Sequence, residues 1–137
     1  MSEWPLHITL ADVFAIKRDD TKIDMKLEQL ASTQSRLNIR AREQARLGDA
    51  EVVLIQKTPQ LVALHEALMD LLEANGAVFN TPGFTRGGFL PHATIQRSGR
   101  LHEGDEVGLH ALALVDMFPE GDWMRRKIIK IFELRLE

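Results

Sequence analysis

Leu90-Pro91-His92-Ala93-Thr94-Ile95, residues 90–95, restates a pattern already present near the start of the chain, Pro5-Leu6-His7-Ile8-Thr9-Leu10, residues 5–10. In both stretches a proline stands just upstream of His-x-Thr and an aliphatic residue follows, with 85 residues (92 − 7) between the histidines. Along an extended strand, residues i and i+2 project to the same face. Each copy therefore presents an imidazole and a hydroxyl side by side while Ile8 and Ala93 turn toward a core. Two of the five histidines have threonine two positions on, a coincidence that composition alone produces about once in forty such chains. Each copy reads as half of one site.

Outward from the first copy, residues 6–16 alternate at the period of a half-buried strand, and Ile23, Leu27 and Leu30 then recur at helical spacing through 21–33. Residues 36–45 alternate again and lead through Leu47-Gly48-Asp49-Ala50, a hairpin turn, into the apolar run 52–55. Thr58 is an N-cap with Pro59 at the first helical position, and Leu61, Leu64, Leu68, Leu71 and Leu72 form a stripe that ends at Asn75-Gly76. Residues 80–88 have loop chemistry, and strands are expected over 92–97, 107–115 and 127–136, the last two joined by 117–122. The order β-α-β-β-α-β-β-β predicts an α+β fold of mainly antiparallel sheet, with residues 1–137 as a single domain.

Composition bounds the chemistry. No cysteine is present, so disulfides, thiolate nucleophiles and cysteine-ligated metals are excluded. The 45% apolar and 27% charged fractions suit a globular chain, and no apolar run approaches the length of a membrane span. The first residues carry no export signal, so cytoplasm is the expected location and no membrane partner is expected. A net charge of −3 opposes sequence-independent binding to long duplex nucleic acid but leaves room for a small anionic substrate. Arg36, Arg40, Arg42 and Arg46, and again Arg125, Arg126 and Lys127, are local basic groups that read first as solvated strand faces.

A phosphodiester needs a base for the attacking oxygen and an acid for the leaving oxygen, and imidazole can serve as either near neutrality. Threonine hydroxyls can donate to the non-bridging oxygens as the pentacoordinate state forms. The pair His7 and His92, with Thr9 and Thr94, supplies these parts with no cofactor. A two-histidine metal site is the competing chemistry, although no His-x-x-x-His or Glu-x-x-His pattern adds further ligands.

These motifs, their separation and the elements between them resemble the two-histidine (2H) phosphoesterase superfamily, the group of the bacterial 2′-5′ RNA ligases and 2′,3′-cyclic nucleotide phosphodiesterases. The resemblance implies the LigT-like fold, with two pseudo-symmetric α/β lobes and outer helices around a central cleft, one motif coming from each lobe. It implies His7 and His92 as the catalytic pair, Thr9 and Thr94 as phosphate-holding hydroxyls, and Phe89 and Arg97 as substrate contacts. The implied activity is metal-independent cleavage of a 2′,3′-cyclic phosphate or a 2′-5′ linkage in a nucleotide or RNA end. Where the family often has a basic residue after the first motif, this chain has Ala11-Asp12, which disfavours a second phosphate there. A non-catalytic nucleotide- or RNA-end-binding module of the same fold is the alternative.

The remaining histidines, His65, His102 and His110, read as packing or surface residues. Gly87-Gly88 lacks the Gly-Lys-Ser/Thr of a phosphate loop and reads as a flexible turn that could close over the cleft. Trp4 and Trp123 fit either core packing or base stacking. Oligomeric state is left open.

Overall fold

The computed structural model describes residues 7–16, 22–80, 83, 85–96, 99–117 and 126–135. Its elements are β1 (Phe14–Ala15), α1 (Ile23–Thr33), β2 (Leu37–Leu47), β3 (Ala50–Ile55), α2 (Pro59–Ala74), β4 (Val78–Phe79), β5 (His92–Thr94), β6 (Glu106–Leu109), β7 (Ala111–Asp116) and β8 (Lys127–Glu133). The class is α+β, and the strands pair antiparallel in sheets ordered β1-β4, β5-β3-β2-β6 and β7-β8.

Two cores divide the molecule into two lobes. In one, Ile23, Leu27 and Ala31 of α1 and Leu64, Leu68 and Leu72 of α2 pack against Leu112, Phe132 and Leu134, with Phe14 and Phe79 at the margin. In the other, Ile39, Ala41, Val53 and Ile55 of the four-stranded sheet pack with Leu61 and Phe89. Helix α2 serves both lobes because its apolar stripe is long: Leu61 in the first turn faces one core and Leu64 to Leu72 face the other. Its start is set as expected, with Thr58 Oγ1 accepting from the Leu61 amide at 3.2 Å and Pro59 following the cap. At its end Gly76, at φ 87°, takes the left-handed conformation while Ala77 N–H returns to the Leu72 carbonyl.

The hairpin of β2 and β3 closes at Gly48-Asp49, with Leu47 opposite Ala50 and Gly48 at φ 58°. Its register slips once, between Ala41 and Gln44, so that two residues of β2, Arg42 and Glu43, stand against Leu54. That bulge lies beside the pairing of Leu54 with His92.

The structure corrects three expected strands. Within 6–16, only Phe14–Ala15 forms a strand among the described residues, and Leu10 gives its carbonyl to a side chain instead of a ladder. The strand expected over 92–97 ends at Thr94, and beyond it Gln96 exchanges backbone hydrogen bonds with Gly99 instead of continuing along β3. The single strand expected over 107–115 is two strands, β6 pairing with β2 and β7 with β8, divided at His110. The physical reason is a change of phase: Val107 and Leu109 turn inward to one core, Leu112 and Leu114 to the other.

Candidate functional site

The second motif lies on an edge strand of the four-stranded sheet. β5 pairs with β3 through Val52 opposite Thr94, Val53 opposite Ala93 and Leu54 opposite His92. Directly opposed residues share a face, so Ala93 and Val53, 2% and 0% exposed, lie in the core while His92 and Thr94 project from the other side. Pro91, at the head of the strand, is fully buried. His92 and Thr94 are half-buried, and Val52 on their face is buried, so this part of the sheet is partly sheltered.

His92 Nδ1 lies 2.8 Å from the Leu90 carbonyl oxygen. A carbonyl only accepts, so Nδ1 carries the proton and donates, which fixes the ring and leaves Nε2 with its lone pair directed elsewhere. An imidazole held in this way can accept a proton at Nε2, or return one, without reorienting.

The first motif belongs to residues 7–13, which have no regular secondary structure. His7 is half-buried and Thr9 exposed, while Ile8 and Leu10 pack onto the core that also receives Ile95. The apolar residues of the two motifs therefore share one core. Arg97, Trp4 and Trp123 lie outside the described residues. Phe89 is 4% exposed, and its ring stacks on the His65 ring at 4.0 Å and 1°, so one aromatic face is already covered by protein.

The segment leading to the second motif is fastened to α2. Arg86, at φ 58°, binds Glu66 Oε1 at 2.5 Å and Asp70 Oδ1 at 2.8 Å through Nη1, and Glu73 through Nη2. These three carboxylates stand at i, i+4 and i+7 on one helix face, and Glu66 foremost, then Asp70 and Glu73, push the guanidinium pKa upward. Behind this clamp the Arg86 amide donates to His65 Nε2 at 2.9 Å, and His65 Nδ1 meets the Leu10 carbonyl at 2.6 Å. Gly88 sits so close to Gly83 that a β-carbon would fall 1.9 Å from its carbonyl oxygen. Where it is described, the glycine-containing turn is thus joined to the helix through Arg86.

Sequence reasoning treated His65 as packing and passed over Arg86. The available signals were a histidine set within the leucine stripe of a helix and an acidic row at helical spacing on the same element. Three of the four arginines over 36–46 lie on a solvated face: Arg40 pairs with Glu106 at 2.9 Å, Arg42 with Glu43 at 3.3 Å and Arg46 with Glu51 at 3.4 Å, all largely exposed, whereas Arg36 is half-buried and 4.0 Å from Glu133. No group of three or more metal-ligating side chains gathers among the described residues. Nor is any helix among them long and apolar enough to cross a membrane.

Against known proteins, the family model described as the 2′-5′ RNA ligase superfamily matches residues 1–116. Solved structures share the fold. TT0787 of Thermus thermophilus aligns with TM-score 0.63 and 18% identity over 96% of this chain and 79% of its own. A protein described as phosphoesterase aligns at 0.61 and 17% over 95% and 77%. E. coli LigT complexed with 3′-AMP aligns at 0.58 and 20% over 94% and 76%, and its complex with NADP+ at 0.58 and 18% over 95% and 76%. A search of curated proteins gave no match.

Proposed function

Because the chain belongs to the 2′-5′ RNA ligase superfamily, we propose that it is a metal-independent phosphodiesterase acting on a 2′,3′-cyclic phosphate or a 2′-5′ linkage in a nucleotide or RNA end. His7 and His92 are its acid/base pair. In hydrolysis of a cyclic phosphate, one imidazole removes a proton from water as its oxygen bonds to phosphorus. The other gives a proton to the ribose oxygen as the ring P–O bond breaks. Thr9 and Thr94 donate to the non-bridging oxygens, whose charge changes in the pentacoordinate state. Arg97, just beyond β5, adds positive charge at the phosphate. Phe89 acts as a buried wall that supports the approach to β5, its ring face being engaged by His65.

The observation that carries this reading is the state of His92: Nδ1 is committed to Leu90 and Nε2 is not, with Thr94 on the same partly sheltered face. The complexes of E. coli LigT with 3′-AMP and NADP+ support a nucleotide as the ligand class for a chain of this fold. We place the activity in the cytoplasm, in RNA-end processing.

Incubation with 2′,3′-cyclic AMP in the presence of a chelator tests the proposal. Turnover that survives chelation, with a bell-shaped dependence of kcat/KM on pH, is expected. Binding without turnover would instead identify a nucleotide-binding module, and turnover abolished by the chelator would identify metal-assisted chemistry.

A further inference from the structure

His65 is completely buried, and the reaction above makes no use of it. Among Leu61, Leu64 and Leu68 a purely apolar ring would fill the same volume without the cost of removing two polar nitrogens from water. Both nitrogens are instead engaged, and with opposite polarity. Nδ1–H donates to the Leu10 carbonyl at 2.6 Å, and Nε2 accepts from the Arg86 amide at 2.9 Å, so the ring is neutral and its tautomer is fixed. Leu10 directly follows Thr9, while Arg86 opens the short turn that leads through Phe89 to His92, and Phe89 stacks on the same ring.

We propose that His65 is a positioning residue for the two-histidine pair: one imidazole, carried on the helix that serves both lobes, fastens the trailing end of the first motif and the approach to the second. Residues 7–12 form no strand ladder, so this bond takes the place of one at Leu10 and limits how far the first motif can shift from the second. Arg86 reinforces the second attachment, because its ion pairs with Glu66, Asp70 and Glu73 hold the same residue to the same helix. The proposal rests on the functional reading given above.

Three substitutions separate the attachments. His65→Phe keeps a ring against Phe89 and removes both hydrogen bonds. His65→Asn retains an N–H near the position of Nδ1, and His65→Gln places a carbonyl near that of Nε2. Each is compared with wild type for 2′,3′-cyclic AMP hydrolysis per folded molecule, and for the side-chain 1H–15N signals of His7 and His92. His65→Phe is expected to lower kcat about a hundredfold with KM little changed, the size of effect that follows misplacement of reacting groups by about 1 Å. His65→Asn should return the His7 signals toward wild type, and His65→Gln those of His92.

A His65→Phe protein that melts earlier but turns over at the wild-type rate when folded, with the His7 and His92 signals unmoved, overturns the proposal and leaves His65 as packing. If His65→Phe does not fold, the Asn and Gln variants decide by the same signals. If wild type itself shows no turnover, the functional reading fails separately, and the imidazole signals still decide whether His65 sets their positions.

Discussion

Gly87 and Gly88 are adjacent, yet the structure assigns opposite outcomes to replacing each by alanine. A β-carbon on Gly88 would lie 1.9 Å from the Gly83 carbonyl oxygen and 3.0 Å from its carbon, whereas one on Gly87 meets nothing within 4 Å. Neither glycine has a left-handed φ, so alanine suits both backbones and the contrast rests on the contact alone. Relief at Gly88 requires moving main chain, since the obstacle is a carbonyl. One side of that contact is already held by Arg86 on α2. Overpacking of this kind costs about 1–3 kcal/mol, while a strain-free Gly→Ala change stabilises by up to about 1 kcal/mol through the unfolded chain. With each kcal/mol worth about 4 °C at this chain length, Gly88→Ala should melt about 4–12 °C below wild type. Gly87→Ala should melt at the wild-type temperature or slightly above. Thermal and urea unfolding followed by circular dichroism measure both, and an unchanged m-value shows that stability changed while the surface exposed on unfolding did not. Equal melting temperatures for the two variants would refute the close approach of Gly88 to Gly83 and, with it, the fastened turn.

Other expectations follow from the same contacts. His7→Ala and His92→Ala should each lower kcat on 2′,3′-cyclic AMP by about 10²- to 10⁴-fold without altering the circular dichroism spectrum; near-normal turnover in either would remove that histidine from the reaction. Thr58→Ala removes the acceptor of the Leu61 amide and should cost about 1 kcal/mol in urea unfolding. Leu61→Ala empties a fully buried position in the core beneath β3 and should cost about 2–5 kcal/mol. Arg86→Gln should speed proteinase K cleavage within residues 80–90, and added salt should speed it in wild type; cleavage unchanged by both would show that the ion pairs with α2 do not hold the turn.

What could be read from the chain by itself was whatever is written locally. The cap at Thr58-Pro59, the leucine stripe of α2, the turn at Gly48-Asp49 and the paired His-x-Thr motifs depend on residues within a few positions of one another, where backbone geometry and hydrophobic period act directly. The division of 107–115 was also present, as the slip of apolar positions from Val107 and Leu109 to Leu112 and Leu114, but its meaning appears only once two separate cores exist to receive them.

Tertiary structure alone decided the rest. Residues 6–16 carry a strand pattern, yet Leu10 is satisfied by a histidine far along the chain, because a backbone carbonyl needs a donor and any correctly placed N–H can provide one. Likewise the acidic row on α2 marks a charged face, and nothing local names Arg86 as its partner; the fold brings that guanidinium to it. Periodicity records which side of an element is apolar, while long-range polar bonds depend on which segments the packed cores bring within about 3 Å of each other.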